Sequence, residues 1–187
     1  MLQESSLNNQ LLVAMPNLIE PEFARTVIYL CEHKEHGAIG LIVNRPMVYS
    51  LQFVFEQMEI EVSRLDINSL PLLYGGPIQQ DRGFVIHKPE GDWRSSLALD
   101  EHVSVTTSRD ILQAIAHGDG PQDMLVTLGY AGWGAQQLDE ELKHNAWLVC
   151  EPTAELLFHT PFEYRWEASA ATLGVNINTL IPDVGHA

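Results

Sequence analysis

The sequence predicts a mixed α/β (α+β) domain whose strands pair at least partly antiparallel. Three observations carry this. Two β-branched apolar runs, "TVIYLCEH" (26–33) and "AIGLIVN" (38–44), are joined by "KEHG", the pattern of a hairpin. Helix start and stop signals come later and lie between strand-like runs. The regular strand–helix alternation of a dinucleotide-binding fold is missing.

Each element has its own signal. "LLVAMP" (11–16) is a short apolar segment, and the hairpin follows it. "SLQFVFEQM" (50–58) reads as a helix opened by Ser50, with Leu51, Phe53, Val54, Phe55 and Met58 as its apolar positions. "LLYGG" and "RGFVIH" are strands on either side of Pro77, and "HVSVTT" (102–107) is another strand. Thr107-Ser108-Arg109-Asp110 resembles a capping box, and Gly118 is a stop, so a helix is predicted at 108–117. "MLVTLGYAG" (124–132) is an apolar strand ending in glycines. "AQQLDEELKHN" (135–145) is helical, with Leu138 and Leu142 on one face and acids near its start. "AWLVCEP" is a strand. Thr160, Pro161 and Glu163 combine an N-cap, a first-turn proline and a capping acid for a helix running to Thr172, with Gly174 as its stop. The tail from Val175 carries turn residues and little periodicity. No repeat, low-complexity tract or long linker divides the chain, so residues 1–187 are expected to form a single domain.

Composition excludes whole classes of function. Lys and Arg total 10 against 25 Asp and Glu, a net charge of −15. A duplex-binding surface needs a basic stripe, and none is visible, so no direct nucleic-acid partner is expected. No apolar run approaches the roughly 18–20 residues of a membrane span. The N-terminal segment has no basic lead, and its apolar run is too short for a signal peptide, so the expected location is cytoplasmic, with no membrane partner. Cys31 and Cys150 sit in apolar runs and read as buried free thiols.

Most motif tests come out negative. Gly75-Gly76-Pro77 lacks the GK[ST] of a phosphate loop, and a strand rather than a helix follows. These glycines read first as a turn or bulge, and second as a small nest of amides for an anion. "CEHKEH" (31–36) matches no zinc spacing and reads as a solvated hairpin tip, so no metal is expected. No GxSxG elbow is present. His87 at a strand end and the acids Asp139–Glu141 are the general-base candidates. Arg45, between Asn44 and Pro46 at a strand end, suits a planar anion clamp, and Tyr130 and Trp133 in "GYAGWG" suit pocket walls.

Taken together, "LLVAMPNLIEPEFARTVIYLCEH", "GAIGLIVNRP", "LYGGPIQQDRGFVIH", "TTSRDIL", "LGYAGWGAQQLDEEL", "NAWL" and the closing "GHA" resemble the AlgH (YqgE/AlgH) family of bacterial proteins. The resemblance runs through essentially the whole chain, in order. Where the family often has Gly-Gln-Leu-Glu, this chain has Gln136-Gln137-Leu138-Asp139. The resemblance implies strands curled into a partial barrel with helices packed outside. It also implies a regulator of transcription, and brings neither an assigned reaction nor an agreed ligand. With a charge of −15, any such regulation is expected to be indirect.

The function expected from these readings is a non-catalytic binding or regulatory protein, with no cofactor and no catalytic residue. Its cleft would be formed by Asn44, Arg45, Gly75, Gly76 and Arg82, with Tyr130 and Trp133 as walls. The partner would be a small anion or another protein. An alternative is a hydrolase-like enzyme using the same cleft, and a direct DNA-binding regulator ranks last.

Overall fold

A computed structural model describes residues 6–180. The last part of the expected irregular tail, including the closing "GHA", lies outside the described residues. Ten strands form one sheet: β1 Gln10–Ala14, β2 Val27–Lys34, β3 Gly37–Ile42, β4 Pro46–Ser50, β5 Pro71–Tyr74, β6 Ile78–His87, β7 Ser96–Ala98, β8 Ser104–Thr106, β9 Met124–Gly134 and β10 Trp147–Cys150. Five α-helices accompany them: α1 Leu51–Gln57, α2 Leu65–Asn68, α3 Arg109–Ala116, α4 Gln137–Lys143 and α5 Phe162–Ala171. A π-helical turn spans Glu155–His159, and a 3₁₀ turn spans Ile177–Leu180.

The strand order is β10-β1-β2-β3-β9-β6-β8-β7. Strand β5 runs parallel to β9, and β4 lies antiparallel on β5. The predicted hairpin is β2–β3, with a register shift between Leu30 and Glu32. Strand β9 is the axis. Its first half pairs with β6 and β5, and its second half pairs with β3.

Alternation along the strands sorts the apolar residues onto two faces. Leu11, Tyr29, Leu41, Phe84, Val105 and Trp166 belong to one buried cluster. Its members come from both ends of the strand order, so the sheet curls around them as a half-barrel, and α5 packs on this inner side. Outside, α1, α2 and α3 cover the β5–β9–β6 part through Val54, Phe55, Ile111 and Ile115. Helix α4 covers the β1–β3 part through Leu138, beside Trp133 and Trp147. The curled sheet and mixed α/β class match the expectation.

The helix ends differ in detail from the sequence reading. Ser108 stands at the N-cap of α3, but its hydroxyl donates to the Asp110 carboxylate. Asp110 itself accepts the amides of Ile111 (3.0 Å) and Arg94 (2.9 Å), so it does the capping work assigned to the box. Pro161, not Thr160, is the N-cap residue of α5, because Thr160 donates its hydroxyl back to the Glu155 carbonyl (2.9 Å) and closes the π turn.

Gln136 is the N-cap of α4 and sits in the left-handed region at φ 62°. A side chain there is strained, and glycine is not. Gln136→Gly is expected to raise stability by about 0.5–1 kcal/mol, the relief of strain less the extra freedom of the unfolded chain. Thermal unfolding should shift up by roughly 1–4 °C. A lower midpoint would show that the Gln136 side chain earns its place.

Candidate functional site

The seven residues expected to share a cleft are placed by the fold as follows. The Asn44 side chain accepts the Val27 amide (2.9 Å) and donates to the Arg25 carbonyl (2.9 Å). The Arg45 guanidinium donates to the carbonyls of Pro21 (2.9 Å), Ala24 (2.9 Å) and Glu22. Both residues staple the segment before β2. Partial burial pushes the Arg45 pKa below its ordinary value.

Gly75 and Gly76 are buried where β5 meets β9 and the end of β3. The Gly75 amide donates to the Leu128 carbonyl (2.8 Å), and its carbonyl accepts the Ile42 amide (2.8 Å). These groups are spent on the sheet, so the Gly75 amide is not free for an anion. A Cβ on Gly75 would lie 2.3 Å from the Gly129 carbonyl, and one on Gly76 would lie 2.0 Å from the Tyr130 carbonyl carbon. The glycines permit a close backbone crossing.

Arg82 is exposed, with its guanidinium 5.2 Å from the centroid of the Phe84 ring. Tyr130 meets the same ring edge-on at 6.0 Å, on the inner side of the sheet. Trp133 belongs to the outer cluster under α4, where its indole donates to Glu141 (3.0 Å). Tyr130 and Trp133 therefore face opposite sides of β9. The structure brings Arg82, Phe84 and Tyr130 together, and Asn44 with Arg45. It does not gather all seven into one cleft.

The general-base candidates are also committed. His87 is 1% exposed on β6. Its Nδ1 donates to the Lys88 carbonyl (2.5 Å), and Nε2 contacts the Thr106 hydroxyl (2.7 Å). Burial holds its pKa below the ordinary imidazole value. Glu141 accepts both the Trp133 and Trp147 indoles, Asp139 pairs with His33 (3.2 Å), and Glu140 pairs with Lys143 (2.7 Å). Of the two thiols expected to be buried, Cys150 is buried and Cys31 half-buried, and desolvation pushes the Cys31 thiol up to about 12.

An open site lies elsewhere. Between α1, the first turns of α3 and strands β6 and β9 is a cavity of about 470 Å³. Its apolar lining includes Val54 of α1 and its C-cap Met58, Leu112 of α3, Val85 of β6, and Val126 and Leu128 of β9. Phe53 forms part of the wall and stacks on Tyr49 of β4 at 4.7 Å. Polar residues at the same cavity are Gln57, Gln80, Asp81, Thr106, Thr107, Ser108 and Arg109.

Gly83 helps to leave this space. It stands on β6 in the outward-facing series with Val85, where neighbouring strand positions carry large side chains. A Cβ there would meet only Leu128 and the Thr127 carbonyl, at 3.8 and 3.9 Å. The sequence signal was the small residue in "RGFVIH", but what faces it is decided by helices from distant parts of the chain.

The fold and site define a half-barrel α/β protein with an apolar cavity under its outer helices. The chain belongs to the AlgH-like family, whose model matches residues 11–178. It is 57% identical over 183 residues to a UPF0301 protein of Legionella pneumophila (strain Lens), covering 98% of each chain. A UPF0301 protein of Thioalkalivibrio sulfidiphilus (strain HL-EbGR7) is 49% identical over 187 residues, all of both chains. The solution structure of AlgH from Pseudomonas aeruginosa superposes with a TM-score of 0.80 at 44% identity, covering 100% of this chain and 99% of that one. The crystal structure of protein DIP2367 from Corynebacterium diphtheriae shares the fold, with a TM-score of 0.71 at 18% identity and 92% and 90% coverage. Among the described residues, no helix is long and apolar enough to cross a membrane.

Proposed function

We propose that the chain is a single-domain, non-catalytic binding protein of the cytoplasm, and that its ligand occupies the cavity between α1, α3 and β6. Any effect on transcription then passes through a protein partner, since a net charge of −15 repels nucleic acid. The observation that carries the reading is an open, mostly apolar space of about 470 Å³ in an otherwise well-filled outer layer. Its lining favours holding over turnover. Ser108 spends its hydroxyl on Asp110, and Thr106 spends its own on His87 and Ser96. The small anion first assigned to Arg45 and Arg82 finds a better-placed cation at this cavity, Arg109.

The test uses the uncharged apolar fluorophore N-phenyl-1-naphthylamine. Wild type is expected to bind it with enhanced, saturable fluorescence. Gly83→Leu should fill the floor of the cavity and weaken binding by at least about tenfold. Gly83→Ala, whose added methyl makes ordinary contacts, should keep most of the affinity and report that the strand tolerates substitution. Equal binding by wild type and Gly83→Leu would overturn the assignment of the cavity.

A further inference from the structure

We propose that the cavity takes a small apolar monocarboxylate, with its tail against the apolar lining and its carboxylate on Arg109. This rests on the reading of the cavity as a ligand site and adds the class of ligand.

The charge inventory points to Arg109. The chain has 10 Lys and Arg for 25 Asp and Glu, so cations are scarce and readily claimed. Lys34 pairs with Glu32, Arg64 with Asp66, and Lys88 with Asp123. Arg45 and Arg165 hold main-chain carbonyls, and Arg25 and Arg82 lie over rings. Among the described residues, Arg94 and Arg109 are the cations whose guanidinium makes no hydrogen bond, ion pair or ring contact, and of these two Arg109 lines the cavity. Its neighbour Asp110 does not claim it, because that carboxylate is taken by Ser108 and the amides of Arg94 and Ile111. An acidic protein thus leaves a free guanidinium at the edge of an apolar space. A guanidinium receives a carboxylate with two parallel N–H donors.

The rest of the lining sets the other half of the ligand. Val54, Val85, Leu112 and Val126 offer no polar partner, so the part of a ligand lying against them must be apolar, or it loses its hydration without replacement. Asp81, exposed on β6, lines the same cavity, and no second Lys or Arg does. A dianion would bring a second negative charge towards Asp81 with no cation to meet it. One carboxylate is the charge the site can hold.

The probes are octanoate and octanamide, equal in length and differing in charge, competed against N-phenyl-1-naphthylamine. Octanoate should displace the dye from wild type at lower concentration than octanamide. Arg109→Gln, on an exposed side chain, should fold normally, and its own dye affinity is measured first so that each competitor is compared on that scale. It should lose octanoate affinity by about tenfold or more while keeping its affinity for octanamide. Raising the salt concentration should weaken octanoate, not octanamide. If octanoate binds wild type and Arg109→Gln alike, or displaces no dye, the carboxylate assignment fails while the Gly83-dependent dye site stands. If the dye itself ignores Gly83→Leu, the cavity reading fails, and this inference with it.

Discussion

Gly76→Ala is expected to abolish folding, or to remove more than about 4 kcal/mol of stability. Gly76 is buried where the turn after β5 crosses β9, at φ 155°. A Cβ built on it would lie 2.0 Å from the Tyr130 carbonyl carbon, 2.2 Å from its oxygen and 2.3 Å from the Ala131 nitrogen. Those are main-chain atoms of the central strand, so no rotamer change relieves the clash. Only separation of β5 from β9 does. Gly129 takes part in the same crossing at φ 76°, and a Cβ on it would lie 2.3 Å from the Gly76 carbonyl oxygen. Each side therefore blocks the other from yielding. A domain of this size holds only about 5–15 kcal/mol in total, so the variant should be insoluble or molten. Urea unfolding followed by circular dichroism reads the outcome. Gly83→Ala on the adjacent strand is the control. A Gly76→Ala protein unfolding cooperatively within about 1 kcal/mol of wild type would show that the crossing can open.

That crossing also marks the limit of what the sequence discloses. The β2–β3 hairpin and helices α3 and α5 were legible because their signals are local: β-branched runs around a short turn, and cap residues at fixed offsets. Strand β4 was not, since Pro46 reads as a stop and Met47–Ser50 becomes a strand only by lying on β5, some twenty residues later. In the outer half of β6, Gln79–Arg82 are exposed and polar and lack apolar alternation. The curl of the sheet depends on β9 pairing with β5 and β6 at one end and β3 at the other, a long-range choice around Gly129. The candidate site failed to be legible for the same reason. A cavity is a missing side chain, Gly83, seen against two helices, one ending 26 residues before it and the other starting 26 residues after it. Arg109 was quoted as part of a helix cap, and nothing local shows that it lacks a partner.

Arg45→Met should cost about 2–3 kcal/mol, and it separates the two arginine sites. A strand-end arginine looks the same in sequence whether it clamps a bound anion or the carbonyls of its own chain. Here it donates to Pro21, Ala24 and Glu22, with Asn44 beside it bonding Val27 and Arg25. Together they fix the turn that delivers the chain into β2, where Arg25 itself sits at φ 60°. Hydrogen bonds from a charged donor contribute about 1.5–3 kcal/mol each when buried. Arg45 is only half-buried, so water recovers part of that on removal. The sum should lower the thermal midpoint by roughly 4–12 °C. Arg45→Lys should recover only part of the loss, because one ammonium does not span three carbonyls as a planar fork does. Hydrogen exchange should quicken in residues 20–27, while α1 and α3 keep their protection. Octanoate binding should be unchanged in Arg45→Met once stability is restored by working below its midpoint, because the carboxylate sits on Arg109. If Arg45→Met is as stable as wild type but loses octanoate, Arg45 is the anion clamp after all, and the carbonyl staple is incidental.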